Sequence, residues 1–297
     1  MLKINDIQMK NILVTGSNGQ LGNAIRELAT QYPELNFYFT DVAELDICDP
    51  NAISDFLADK QLDYVVNCAA YTAVDKAETD LSLCDKLNNT AVGYLAKAAV
   101  EKRARMIHVS TDYVYSGSAC KPYTEEDDTA PVSAYGITKL AGEESLFNHC
   151  KDAVVLRTSW LYSEYGNNFV KTMIRLGKER DSLGVIFDQV GTPTYAADLA
   201  RAILTIVSAN EDFQPGVYNF SNEGVCSWYD FAVKIHELAG VANCYVKPIE
   251  TADYPTPATR PHYSVMNKKK IRSVYGFDIP HWEASLRLCI ANLLTNK

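Results

Sequence analysis

The stretch Asn11-Ile12-Leu13-Val14-Thr15-Gly16-Ser17-Asn18-Gly19-Gln20-Leu21-Gly22 decides the fold. It opens as a short aliphatic and β-branched run, turns through glycines at 16, 19 and 22, and continues with Leu21, Ile25, Leu28 and Ala29 at helical spacing. The reading is strand, glycine turn, helix. In such a turn the missing side chains let backbone approach a pyrophosphate, and the free N–H groups and dipole at the helix start favour its negative charge. Gly16, Gly19 and Gly22 are therefore candidate dinucleotide-binding positions.

The pattern repeats outward. Phe37-Tyr38-Phe39-Thr40 reads as a second strand, and Asp49-Pro50 supplies an N-cap and first-turn proline for a helix bearing Ile53, Phe56 and Leu57. Tyr64 to Asn67 is a third strand, followed by a helix over about 83–101. Met106 to Ser110 and Val154 to Arg157 are further strands, with a helix over about 132–147 between them. This alternation predicts an α/β fold, a Rossmann-type doubly wound parallel sheet with a smaller C-terminal substrate-binding domain. Residues 1–165 form the expected dinucleotide-binding domain, with 1–8 as an upstream extension before Met9. Residues 166–297 are mainly the second domain, although a segment near 190–235, through Gly216-Val217-Tyr218-Asn219-Phe220, is a candidate to rejoin the sheet. Helices are expected over 229–239 and 283–294, separated by Pro248, Pro255, Pro257 and Pro261.

Composition narrows the function classes. The chain has 297 residues, 47% of them apolar and 22% charged, so it can bury a core and is not intrinsically disordered. Its net charge is 28 minus 37, or -9, which repels polyanions and anionic lipid. No nucleic-acid or membrane partner is expected. The basic run Lys268-Lys269-Lys270 reads as a solvated helix face. No stretch approaches the roughly 20 apolar residues of a bilayer span, and the first ten residues lack the apolar core of a secretion signal, which predicts a cytoplasmic protein. Eight cysteines without a close pair read as reduced packing residues, and no metal site is expected.

Three further features carry chemistry. Asp41 follows the second strand 19 residues beyond Gly22, near the offset at which an acid hydrogen-bonds the adenosine ribose and disfavours a 2′-phosphate. This points to NADH, with NADPH as a usable alternative. The small residues Ala69 and Ala70 end the third strand where the chain would pass beneath a cofactor. Tyr135 and Lys139 lie four apart on one helix face, and a lysine cation beside a phenol lowers its pKa from near 10. Thr111, at the end of the fourth strand, can supply a hydroxyl to the same substrate oxygen.

Together, the glycine loop, Ser110-Thr111 and Tyr135-xxx-Lys139 resemble the extended short-chain dehydrogenase/reductase superfamily. The runs Ser110-Thr111-Asp112-Tyr113-Val114-Tyr115, Arg157-Thr158-Ser159-Trp160-Leu161-Tyr162 and Gly191-Thr192-Pro193-Thr194 resemble the dTDP-4-dehydrorhamnose reductases within it. The resemblance implies an NADH- or NADPH-dependent oxidoreductase that reduces the 4-keto group of dTDP-4-dehydro-L-rhamnose. It assigns Thr111, Tyr135 and Lys139 to catalysis, with Tyr135 as proton donor. Gly19, Gln20 and Leu21 then cradle the pyrophosphate, Asp41, Asp46 and Ile47 hold the adenosine part, and Ala70, Tyr71 and Thr72 border the cofactor. Asp112 and Trp160 match positions that contact the sugar nucleotide, the Trp160 face packing on the sugar.

An anionic substrate entering so acidic a chain needs local cations, and Lys171, Arg175 and Arg260 are candidates for its diphosphate, with Asn168 and Phe169 beside the nucleotide. Leu286 to Leu294 has no acidic residue, so a magnesium-linked dimer is not expected; a monomer or weak homodimer is. Two alternatives stay open. One is a nucleotide-sugar epimerase or dehydratase, although Tyr113 stands where a dehydratase places a second acid. The other is a non-catalytic regulatory subunit like that of methionine adenosyltransferase.

Overall fold

The computed structural model describes residues 9–209 and 212–295; the expected extension 1–8 lies outside the described residues. Strands β1 (Lys10–Thr15), β2 (Leu35–Phe39), β3 (Tyr64–Asn67), β4 (Arg105–Thr111) and β5 (Ala153–Thr158) form a sheet with an edge strand, Gly216–Asn219. The order is Gly216–Asn219, β5, β4, β3, β1, β2, and every pairing is parallel. Because a parallel sheet is covered on both faces, the centres of its strands are apolar and alternate residues feed opposite cores. Ile12 and Val14 pack with Leu21 and Ile25 of helix α1 (Gln20–Leu28) and with Leu199 and Ile203 of the helix Ala196–Ser208. Leu13, Val65, Met106 and Val155 face the other way, onto Ile53, Leu57, Leu95 and Leu146.

The helices of that second face are α2 (Pro50–Leu57), two short segments α3 (Val74–Ala77) and α4 (Leu81–Asp85), α5 (Ala91–Glu101) and α6 (Ala134–His149). The α2 N-terminus is as expected: Asp49 accepts a bond from the Asn51 N–H, with Pro50 next in line. The helix expected over 83–101 is interrupted. A π-helical turn, Lys86–Thr90, joins α4 to α5. Its Asn88 carboxamide pairs with both backbone polar groups of Tyr71, at 2.8 and 3.2 Å, substituting for a strand partner.

A third core lies beyond β5, where Tyr162, Met173, Val185, Phe231, Trp282 and Leu286 are buried together. It gathers the helices Phe169–Glu179, Trp228–Ala239 and Trp282–Thr295. The basic run departs from expectation. Lys268 is only 5% exposed, with Nζ 3.5 Å from Glu223 Oε2, while Lys270 lies over the Tyr218 ring at 5.0 Å. A lysine stem covers apolar surface well, and a carboxylate meets the buried head group. All eight cysteines are free.

Strand order reverses between β1 and β3, so the connections leaving their C-terminal ends run to opposite faces of the sheet and leave a crevice at its carboxyl edge. No described helix is long and apolar enough to cross a membrane.

Candidate active site

The crevice has a volume of about 850 Å³ and runs from Asp41, Asp46 and Ile47, over the glycine turn, to Thr111, Tyr135 and Lys139. Its floor depends on glycine. Gly16 has φ +64°, and a Cβ there would stand 2.7 Å from the Ala69 backbone, so only glycine lets the end of β1 lie against the end of β3. A Cβ on Gly22 would overlap the Ser17 backbone, which fixes how tightly α1 closes on the loop. Asp41 braces the turn from outside: its Oδ2 accepts from the Asn18 N–H at 3.0 Å and its Oδ1 from the Val42 N–H at 2.8 Å. A glycine-rich loop at the start of a helix fits the diphosphate of a dinucleotide.

Of the expected cofactor positions, Gly16, Gly19, Gln20, Leu21, Asp41, Asp46, Ile47, Ala69, Ala70 and Thr72 line the crevice. Two do not. Gly22 is buried behind the loop, and Tyr71 turns toward α3 and α4, where its hydroxyl reaches Asp80 at 3.4 Å.

At the other end, α6 starts at Ser133, whose side chain accepts from the Gly136 N–H at 3.2 Å. That start places Tyr135 and Lys139 one turn apart on the crevice side. Tyr135 is half-buried, its ring edge-to-face with Tyr113 at 5.4 Å and its hydroxyl hydrogen-bonded to Thr111. Thr111 also donates to Asp112 Oδ1 at 2.9 Å. The other Asp112 oxygen is buried, and burial pushes this carboxyl up to about 7, with the Thr111 and Ser264 hydroxyls pulling the other way.

The expected lowering of the Tyr135 pKa is not what the site does to it. Burial pushes the phenol above its ordinary value, with the Thr111 bond pulling the other way. Lys139 is turned elsewhere: its Nζ lies 2.7 Å from the Val109 carbonyl oxygen and 3.1 Å from His108 Nε2. It is 1% exposed, and burial brings its pKa down to about 8. Behind it, the buried Glu143 carboxylate takes three N–H bonds from Arg157, at 3.0, 3.2 and 2.7 Å, and one from the Ser110 hydroxyl. This network ties α6 to β4 and β5.

The substrate side corrects several expectations. Arg260 is no free cation: it makes a bidentate pair with Asp75, at 2.8 and 3.0 Å, and does not line the crevice. Lys171 donates to the Glu164 carbonyl, Arg175 pairs with Glu179 in solvent, and neither faces the crevice. The lining cations among the described residues are Lys86 and Lys139. Trp160 lines the crevice with a left-handed backbone, φ 49°, but one indole face is covered by Trp228 at 3.6 Å and Gly191 packs close to the ring, so it is not the open platform expected. Asn168 caps the helix Phe169–Glu179 and donates to Gln20 Oε1 at 2.9 Å, so it joins the third core to the glycine loop. Lys86, at the start of the π-helical turn, carried no local sequence signal for the crevice it lines.

A switch-point crevice with a glycine floor and a Thr–Tyr–Lys set at one end defines an oxidoreductase of the extended short-chain dehydrogenase/reductase type. The RmlD substrate binding domain family matches residues 9–295. The dTDP-4-dehydrorhamnose reductase of Aggregatibacter actinomycetemcomitans is 39% identical over 287 residues, covering 94% of this chain and 98% of that enzyme. That of Shigella flexneri is 40% identical over 296 residues, covering 96% and 98%. Among solved structures, the dTDP-4-dehydrorhamnose reductase of Clostridium acetobutylicum superposes with a TM-score of 0.91 at 42% identity, covering 96% of this chain and 99% of that one. The Bacillus anthracis reductase in complex with NADP gives 0.91 at 36% identity, covering 96% and 99%. The chain belongs to the dTDP-4-dehydrorhamnose reductase family of oxidoreductases.

Proposed function

We propose that the chain reduces the 4-keto group of dTDP-4-dehydro-L-rhamnose to give dTDP-L-rhamnose, with NADH or NADPH as reductant and Tyr135 as proton donor. The observation that carries this reading is the Tyr135 hydroxyl resting on Thr111 at the crevice end opposite Asp41. When bound, the reduced nicotinamide supplies a hydride to the carbonyl carbon.

The chain's own residues do the rest. The glycine turn receives the diphosphate, and Asp41, Asp46 and Ile47 hold the adenosine end. Tyr135 exchanges its bond to Thr111 for one to the carbonyl oxygen and gives up its proton as charge grows there. Burial keeps the phenol protonated at neutral pH, the form a donor needs. Thr111 steadies the same oxygen, and a protonated Lys139 offsets the negative charge left on the phenol. Asp112 accepts a sugar hydroxyl, and Trp160 packs on the ring. The 166–297 region holds the sugar nucleotide, with Asn168 tying it to the cofactor side.

The test supplies the keto sugar enzymatically and follows the nicotinamide absorbance. Stoichiometric loss of NADH or NADPH with formation of a 6-deoxyhexose nucleotide supports the reading; no loss with either cofactor overturns it.

A further inference from the structure

Spacing along the chain marks Asp41 as the acid beside the adenosine ribose, but the structure sets a second carboxylate on the same turn. Glu44 Oε2 accepts from the Asp41 N–H at 2.9 Å, and the Glu44 N–H returns a bond to the Asp41 carbonyl at 3.0 Å. This is the reciprocal arrangement of a capping box, closed here on a turn rather than on a helix. An exposed glutamate ordinarily wanders, and its charge counts for little. Glu44 is exposed but pinned through both its side chain and its backbone. Its charge therefore stays at the end of β2, against the residue whose side chain would meet the ribose.

The turn also occupies donors that an anion would need. The N–H groups of Asp41, Val42, Glu44 and Leu45 are all engaged within it, and Asp41 Oδ2 holds the Asn18 N–H of the glycine loop. A 2′-phosphate brings close to two negative charges and three acceptor oxygens. It would meet two carboxylates and N–H groups already taken. The cations on this side are placed otherwise: Arg26 donates to Ser17 Oγ at 3.0 Å and lies over the Phe39 ring at 4.3 Å, while Lys86 acts on the Cys48 thiol, beyond Asp46. Val42, beside Asp41 on the crevice wall, is exposed and aliphatic. A bare ribose hydroxyl is uncharged and can donate to a carboxylate, so it meets no such opposition.

We propose that Glu44 is a specificity-determining residue: its carboxylate opposes a 2′-phosphate at the adenosine end, so the chain takes NADH in preference to NADPH more strongly than Asp41 alone would make it. This deepens the reductase reading and rests on it for where the dinucleotide lies.

Fluorescence titration with NADH and with NADPH, in the absence of any sugar nucleotide, measures both dissociation constants without turnover. Glu44→Gln keeps an oxygen for the Asp41 N–H and removes the charge. The expected result is an NADPH dissociation constant lower by about three- to tenfold, with that for NADH within about twofold of wild type, and a gain that shrinks at high ionic strength. Glu101→Gln controls for net charge: Glu101 is exposed at the C-terminal end of α5, at the opposite edge of the sheet, and its replacement leaves both constants unchanged. An unchanged NADPH constant in Glu44→Gln, an equal change for both cofactors, or the same gain in Glu101→Gln overturns the proposal while leaving the reductase reading intact. A wild-type chain that binds neither cofactor overturns both.

Discussion

Replacing Arg157 with Met tests whether the ion pair behind the catalytic helix holds the fold together. The side chains of Arg157 and Glu143 are 6% and 4% exposed, so neither charge has water to fall back on. Removing the guanidinium strips Glu143 of three N–H bonds and leaves it the Ser110 hydroxyl alone. Breaking a buried pair from one side costs about 3–5 kcal/mol, because an uncompensated charge remains. At about 2–4 °C per kcal/mol for domains of somewhat smaller size, the thermal midpoint falls by roughly 6–20 °C. Calorimetric scans of Arg157→Met and of Arg157→Met with Glu143→Leu give the comparison. The double variant recovers most of the loss, since an apolar pair of similar volume replaces the ion pair at little cost. A single variant as stable as wild type, or a double variant no better than the single, refutes the argument.

Three further outcomes are expected. Asp112 has a folded-state pKa raised from 3.8 to about 7, so its contribution to stability is complete below about pH 4 and is lost as pH rises through 7. Asp112→Asn therefore gains on wild type between pH 5 and 8 in thermal midpoint; parallel curves contradict this. Gly22→Ala forces a Cβ into the Ser17 backbone, and nucleotide affinity by fluorescence titration drops by about tenfold or more, corresponding to the roughly 1–3 kcal/mol cost of overpacking. Asp41→Ala removes the carboxylate opposed to a 2′-phosphate and shifts the kcat/KM ratio toward NADPH; an unchanged ratio removes Asp41 from cofactor choice.

What could be read from the residues was local. The alternation of Ile12, Leu13 and Val14 between two cores, the glycine spacing and the four-residue step from Tyr135 to Lys139 depend on neighbours in sequence, and the structure realises each. What could not be read depends on partners far apart in the chain. Arg260 looked available because Asp75 lies 185 residues away. Trp160 looked open because its stacking partner is Trp228, and Lys268 looked solvated because nothing near it announces Glu223. The phenol was expected to acidify beside a lysine, but spacing along a helix does not reveal that Nζ bends toward His108 and Val109. The π-helical turn at 86–90 has the same origin: Asn88 is drawn to the backbone of Tyr71 rather than to its own helix.

The central claim is that one phenol, held by Thr111 at the end of the crevice, delivers the proton. Turnover of the keto sugar by Tyr135→Phe, measured alongside the dissociation constant for NADH, tests it most directly. The account predicts turnover reduced by about 10²–10⁴-fold with the dissociation constant unchanged. Turnover within a few-fold of wild type, at the same cofactor affinity, would place the proton donor elsewhere and contradict it.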